Sequence, residues 1–181
     1  MSLPILDLFL LSMLDRGLQS PYELHREAGI SLGASLPSLR RLTEATLVAR
    51  KDTAGATKRP RHEYHLTASG KNAARTGWQE RMASNAADSD LDSVLRIADM
   101  GLHYGADKKK IQAFLRQAAA ARIREAERAA LSEPSARSGQ SYASMRSRCD
   151  SLRLRAEAEA LLGIADSFKT RRIVSGQQSL M

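Results

Sequence analysis

The stretch TKRPRHEYHLTASG, residues 57–70, sets five basic or imidazole side chains (Lys58, Arg59, Arg61, His62 and His65) within nine residues, then turns abruptly to Leu66, Thr67 and a glycine. The run RHEYHL, residues 61–66, reads as a β-strand, with Arg61, Glu63 and His65 on one side and His62, Tyr64 and Leu66 on the other. Upstream, LVARK, residues 47–51, is a second β-type run, and DTAGATKRP between them is a polar turn region with Gly55 and Pro60. Together they predict a hairpin with one apolar face for a core and one charged face for a partner. Thr67 is placed to cap a helix passing through Ala73, Ala74 and Trp78. Gly70 in its first turn costs about 1 kcal/mol relative to alanine, so a close backbone approach is expected there.

Three helices are predicted before the hairpin. LPILDLFLLSML, residues 3–14, is strongly apolar, tolerates Pro4 in its first turn, and is ended by Arg16 and Gly17. Ser20 caps a second helix, with Pro21 at its first position and Glu23 in its first turn, and Gly29 stops it. The third occupies roughly residues 33–45; Ser31 is one candidate cap, but Pro37 argues for a regular part that begins nearer Ser35. At 100° per residue, Leu36, Leu39, Leu42 and Thr43 gather on the expected core arc. Ala34, Pro37, Ser38, Arg40, Arg41 and Glu44 take the opposite one. Small residues beside arginines suit close approach to base edges, where arginine bonds two acceptors of a guanine; an ordinary amphipathic helix is the plainer alternative. Three helices followed by a hairpin is the winged helix-turn-helix outline.

Charge placement agrees with that outline. The net charge is +8. Residues 1–39 carry two arginines against four acids, a net of −2, whereas residues 40–61 carry seven basic residues against Glu44 and Asp52, a net of +5. Charge concentrated in one short segment is what gripping a phosphate backbone requires, although a lone basic run is as often a solvated loop.

These segments also resemble a known family. Pro21-Tyr22-Glu23-Leu24, Leu36-Pro37-Ser38-Leu39-Arg40-Arg41-Leu42 and Arg59-Pro60-Arg61-His62-Glu63-Tyr64-His65-Leu66-Thr67-Ala68-Ser69-Gly70 are similar, in order and spacing, to the second helix, recognition helix and wing of PadR-type transcriptional regulators. The resemblance covers roughly residues 3–80. The chain departs from the family pattern at Leu36, where a tyrosine is usual, and at Pro21 and Thr46, where glycines are usual. The resemblance implies a homodimeric, cytoplasmic DNA-binding regulator, a repressor by family habit. Ser38, Arg40 and Arg41 would then meet the major groove, Lys58, Arg59 and Arg61 the phosphates or the minor groove, and Tyr22 the backbone. It also implies that Trp78, the sole tryptophan, lines a subunit interface able to take a small aromatic effector; core packing is the plainer reading.

The expected fold class is mainly α with a small β-hairpin wing: an N-terminal winged helix-turn-helix domain (1–80) and a C-terminal all-helical dimerisation and effector region (81–181) ending in a loose tail. Asp88 or Ser89 is expected to cap a helix with Leu91, Val94, Leu95, Ala98 and Leu102 at helical spacing. A longer helix runs from Asp107 to about Leu131 with Ile111, Phe114, Leu115 and Ala118 inward, and a last one spans about 142–167 with Met145, Cys149, Leu152 and Ala156 as its stripe. Apolar stripes with few places to bury them in one chain point to pairing with a second subunit.

Other classes find little support. Cys149 is the only cysteine, so there is no disulfide framework or CxxC knuckle, as expected of a reducing cytoplasm, and the predicted stripe makes it a buried thiol. The first apolar run is too short to span a bilayer, and no basic segment precedes it as in a signal peptide. His62 and His65 are three apart on opposite strand faces and cannot share a metal as a zinc-protease pair does. No GxGxxG, Walker loop or nucleophile elbow occurs, so neither enzyme nor cofactor is expected. The competing function is a winged-helix interaction module whose basic wing binds an acidic protein.

Overall fold

A computed structural model describes residues 3–53, 61–84, 90–131 and 141–168. Helix α1 (Ile5–Asp15) is apolar on almost every side and buries Leu8, Phe9, Leu10, Leu11, Met13 and Leu14, as expected of a helix surrounded by others. Helix α2 (Pro21–Ala28) begins with a capping box: the Ser20 hydroxyl accepts from the Glu23 amide at 3.2 Å, and the Glu23 carboxylate accepts from the Ser20 amide at 3.0 Å. It ends at Gly29, whose φ of 66° is left-handed. Helix α3 (Leu32–Glu44) is capped by Ser31 and passes without interruption through Pro37. The regular part therefore starts earlier than Pro37 suggested. Pro37 is exposed, so the Gly33 carbonyl, which proline deprives of its helical donor, lies on the side that water reaches.

Strands β1 (Val48–Thr53) and β2 (Arg61–Leu66) pair antiparallel, from Val48 opposite Leu66 to Thr53 opposite Arg61. The order of three helices and then a hairpin is that of a winged helix. Val48 and Tyr64 are buried and tie the hairpin to the helices. A further tie is the Tyr64 amide, which donates to the Gln19 carbonyl at 2.8 Å between α1 and α2. Helix α4 (Ala68–Ala83) is capped by Thr67, and a Cβ on Gly70 would lie 1.9 Å from the Leu47 carbonyl oxygen. That is the close backbone approach the glycine predicted. Helix α5 (Leu91–His103) is capped by Asp90; Asp88 and Ser89, the expected caps, lie outside the described residues. It buries Val94, Ile97, Ala98 and Met100, while Leu102 is exposed.

Helix α5 packs against α1 and α4, within a first compact unit that also holds α2, α3 and the hairpin. The second unit holds α6 (Lys108–Leu131) and α7 (Tyr142–Ser167). These lie antiparallel: Gln112 bonds the Ala165 carbonyl, Arg122 pairs with Glu157, and Ser147 bonds the Ala129 carbonyl. Ile111, Phe114, Leu115 and Ala118 face inward on α6, as expected. The stripe of α7 is corrected, however. Ser151, Leu154, Ala158, Leu161 and Ala165 face α6, whereas Met145, Cys149, Leu152 and Ala156 are exposed on the opposite side. None of the described helices is long and apolar enough to cross a membrane.

Candidate nucleic-acid interface

The outer face of α3 is the centre of the candidate interface, and it differs from the arc expected. Ser35, Ser38, Leu39 and Leu42 form the buried stripe at 3-1-3 spacing. Ser38 is 1% exposed, and its hydroxyl accepts from Arg41 at 2.9 Å, so it does not face a partner. Small serines on the inner side rotate the helix, and Leu36, expected inside, is 49% exposed. Gly33, Leu36, Pro37, Arg40 and Glu44 make up the outer stripe.

The two arginines of α3 part company. Arg40 is the most outward, its side chain 82% exposed and its Nε bonded to Glu44 at 2.9 Å. Arg41, its side chain still 52% exposed, holds the buried Asp7 of α1 with two bonds, Nη2 to Oδ1 at 2.8 Å and Nε to Oδ2 at 3.3 Å. The Asp7 carboxylate, by hydrogen bond and charge, raises the Arg41 pKa further. Part of the guanidinium that the sequence aimed at the major groove is thus engaged with α1, while the side chain stays 52% exposed. One signal for this lay in the sequence, a lone acid in the first turn of an otherwise apolar helix, since a buried carboxylate needs a partner.

Beside α3 lies a cleft of about 560 Å³ between the start of α2, the start of α3 and strand β2. Tyr22, Arg26, Leu36, His62 and Tyr64 are among its lining residues. Tyr22 is 64% exposed at its rim, with the Arg26 guanidinium 5.7 Å from its ring centre. Arg26 was not among the expected site residues. It sits one helical turn after Tyr22, so helical spacing was the available signal.

On the hairpin, the Asp52 carboxylate accepts from Arg50 at 3.0 Å and from the His62 Nδ1 at 2.8 Å, while Arg50 donates to the His62 Nε2 at 3.3 Å. Arg50 first, and then His62, hold the Asp52 carboxyl below its ordinary range. Arg61 pairs through its backbone with Thr53. Its side chain, and the whole of Lys58 and Arg59, lie outside the described residues. Trp78 is 7% exposed in the first unit, and its indole N–H donates to the Arg75 carbonyl at 2.9 Å. In this chain it is a core side chain with its polar atom satisfied.

No protein-family model and no curated protein matches the chain. Among solved structures, it is similar to Bacillus subtilis PadR in complex with operator DNA, at 16% identity over 90% of this chain and 100% of that one, with a TM-score of 0.38. So low a likeness carries no functional argument.

Proposed function

We propose that this chain is a sequence-specific DNA-binding transcriptional regulator that acts as a homodimer. The observation that carries it is the outer stripe of α3. Arg40 projects from a helix face opened by Gly33, beside a cleft rimmed by Tyr22 and Arg26, in the segment where the positive charge concentrates. A helix face with an outward arginine suits the major groove, and the exposed Tyr22 and Arg26 suit the adjoining phosphates. In the sequence, Lys58, Arg59 and Arg61 continue the same run of positive charge.

Pairing is supported by the outward face of α7, where Met145 and Leu152 are 52% and 66% exposed. Two-fold pairing would set two recognition helices about one DNA turn, roughly 34 Å, apart or at a multiple of it. Repression is the sign that the family resemblance implies. A small aromatic effector belongs to the same proposal, and quenching of the lone Trp78 is its readout.

The test is fluorescence anisotropy of the whole protein on random-sequence duplex DNA across a salt series. Affinity should fall steeply with salt, and Arg40→Ala should weaken binding to a duplex selected from a randomised pool more than binding to random-sequence DNA. Binding that is absent at low salt, with an acidic protein captured instead, would favour the interaction-module reading.

A further inference from the structure

The outer stripe of α3 joins an apolar and a cationic chemistry on one solvent face. Leu36 is 49% exposed and Leu32 45%, and both line the cleft next to Tyr22. One turn after Leu36, Arg40 is held through Nε by Glu44. Its Nη1 and Nη2 make no hydrogen bond among the described residues, which leaves that edge of the guanidinium for a ligand.

An exposed leucine beside a guanidinium fits a partner that offers an apolar group next to paired acceptors. The major groove offers this combination: the C5-methyl of thymine is its apolar group, and O6 with N7 of guanine are its paired acceptors. Net charge of +8 favours that polyanion over another cationic copy of the chain. Accepting the DNA-binding reading above, on which this rests, we infer that Leu36 reads a thymine methyl while Arg40 reads a guanine. Leu36 and Arg40 are four residues apart, about 6 Å along the helix. At roughly 3.4 Å per base pair, this keeps the thymine within about two steps of the guanine. Glu44 is a positioning residue that fixes the plane of the Arg40 guanidinium and does not itself read a base.

The test starts from the full chain and a randomised duplex pool. The tightest duplex selected is remade with each thymine replaced in turn by uracil, which lacks only the methyl. At one position per half-site, uracil should weaken wild-type binding about fourfold, the worth of one buried methyl. Leu36→Ala, on an exposed position, should bind the thymine and uracil duplexes equally. Arg40→Ala should lose the preference for guanine within two steps of that thymine. Uracil without effect at every position, or a Leu36→Ala protein that still prefers thymine, overturns the inference and leaves DNA binding standing. A chain that selects no duplex overturns both.

Discussion

The Arg41 guanidinium on α3 and the buried carboxylate of Asp7 on α1 form a two-bond ion pair, 2.8 Å at its shorter contact, with the Ser38 hydroxyl on the same nitrogen. Helix α3 is thereby fastened to α1, which packs at the centre of the same unit, through a side chain that stays half exposed. Arg41→Ala would strand the Asp7 carboxylate, which is 2% exposed. An unpaired buried acceptor of that kind costs about 1–3 kcal/mol or somewhat more when charged. Urea denaturation should show that loss, and Asp7→Asn on the Arg41→Ala background should recover part of it. DNA affinity measured well below the melting temperature should change far less for Arg41→Ala than for Arg40→Ala.

Thr46 has a φ of 57°, left-handed backbone that a β-branched residue seldom adopts. It follows the C-cap of α3, where the Leu47 amide bonds the Leu42 carbonyl at 2.9 Å and the Thr46 amide bonds the Thr43 carbonyl at 3.0 Å. These are the two bonds of a Schellman ending, which favours glycine at this position. Thr46→Gly should stabilise the chain by about 1 kcal/mol, since relief of strain outweighs the extra freedom glycine gives the unfolded chain. Thr46→Val should not. An unchanged midpoint in urea for Thr46→Gly would show that the threonine is not strained.

Gly70 admits no side chain. Its hypothetical Cβ would sit 1.9 Å from the Leu47 carbonyl oxygen, the same oxygen that accepts from the Thr67 amide at 3.1 Å. Gly70→Ala must separate the start of α4 from the loop between α3 and β1. We expect a loss of about 3 kcal/mol in stability, at the upper end for overpacking, and broader amide resonances for β1 and the α4 cap.

How far the sequence reaches is visible in these positions. The caps at Ser20 and Thr67 could be read directly, because each needs one oxygen-bearing side chain at a fixed offset from amides in its own turn, whereas Pro37 left Ser31 as only one candidate. The hairpin was legible from alternation. The rotation of α3 was not: serines at 35 and 38 occupy inner positions, so hydropathy assigned Leu36 to the core and Ser38 to the partner. Small polar residues can be buried once locally bonded, as Ser35 is to the Leu32 carbonyl and Ser38 to Arg41. On α7 two apolar stripes share one helix, and spacing alone does not say which of them meets α6.

Glu23 gives the start of α2 an acid-sensitive cap. Burial alone would raise its pKa, but the amides of Gln19 and Ser20, the Ser20 hydroxyl and Arg26 together outweigh it and hold the carboxyl below its ordinary 4.5. A depressed pKa means the contribution to stability is full above the unfolded value and fades as pH falls through the folded one. The cap should therefore hold at neutral pH and weaken below about pH 4.5. Glu23→Ala should cost about 1 kcal/mol at pH 7 and progressively less in acid, read as the difference in urea midpoint between the two proteins across pH.

The exposed stripe of α7 supplies the test of pairing. Met145, Cys149, Leu152 and Ala156 lie opposite the side that meets α6, and Leu152 is 66% exposed. If two copies pair along this stripe, Leu152→Glu sets like charges face to face across the two-fold axis and removes two apolar side chains from the seam. Sedimentation should then give a monomer at concentrations where the wild type is a dimer, with helix content unchanged because Leu152 does not touch the α6 side. The lone thiol offers a second readout that does not depend on mass. Cys149 should react slowly with a thiol reagent in concentrated wild type, faster on dilution, and fast at every concentration in Leu152→Glu. Equal rates throughout, with a wild type that stays dimeric, would place the dimer contact on another surface.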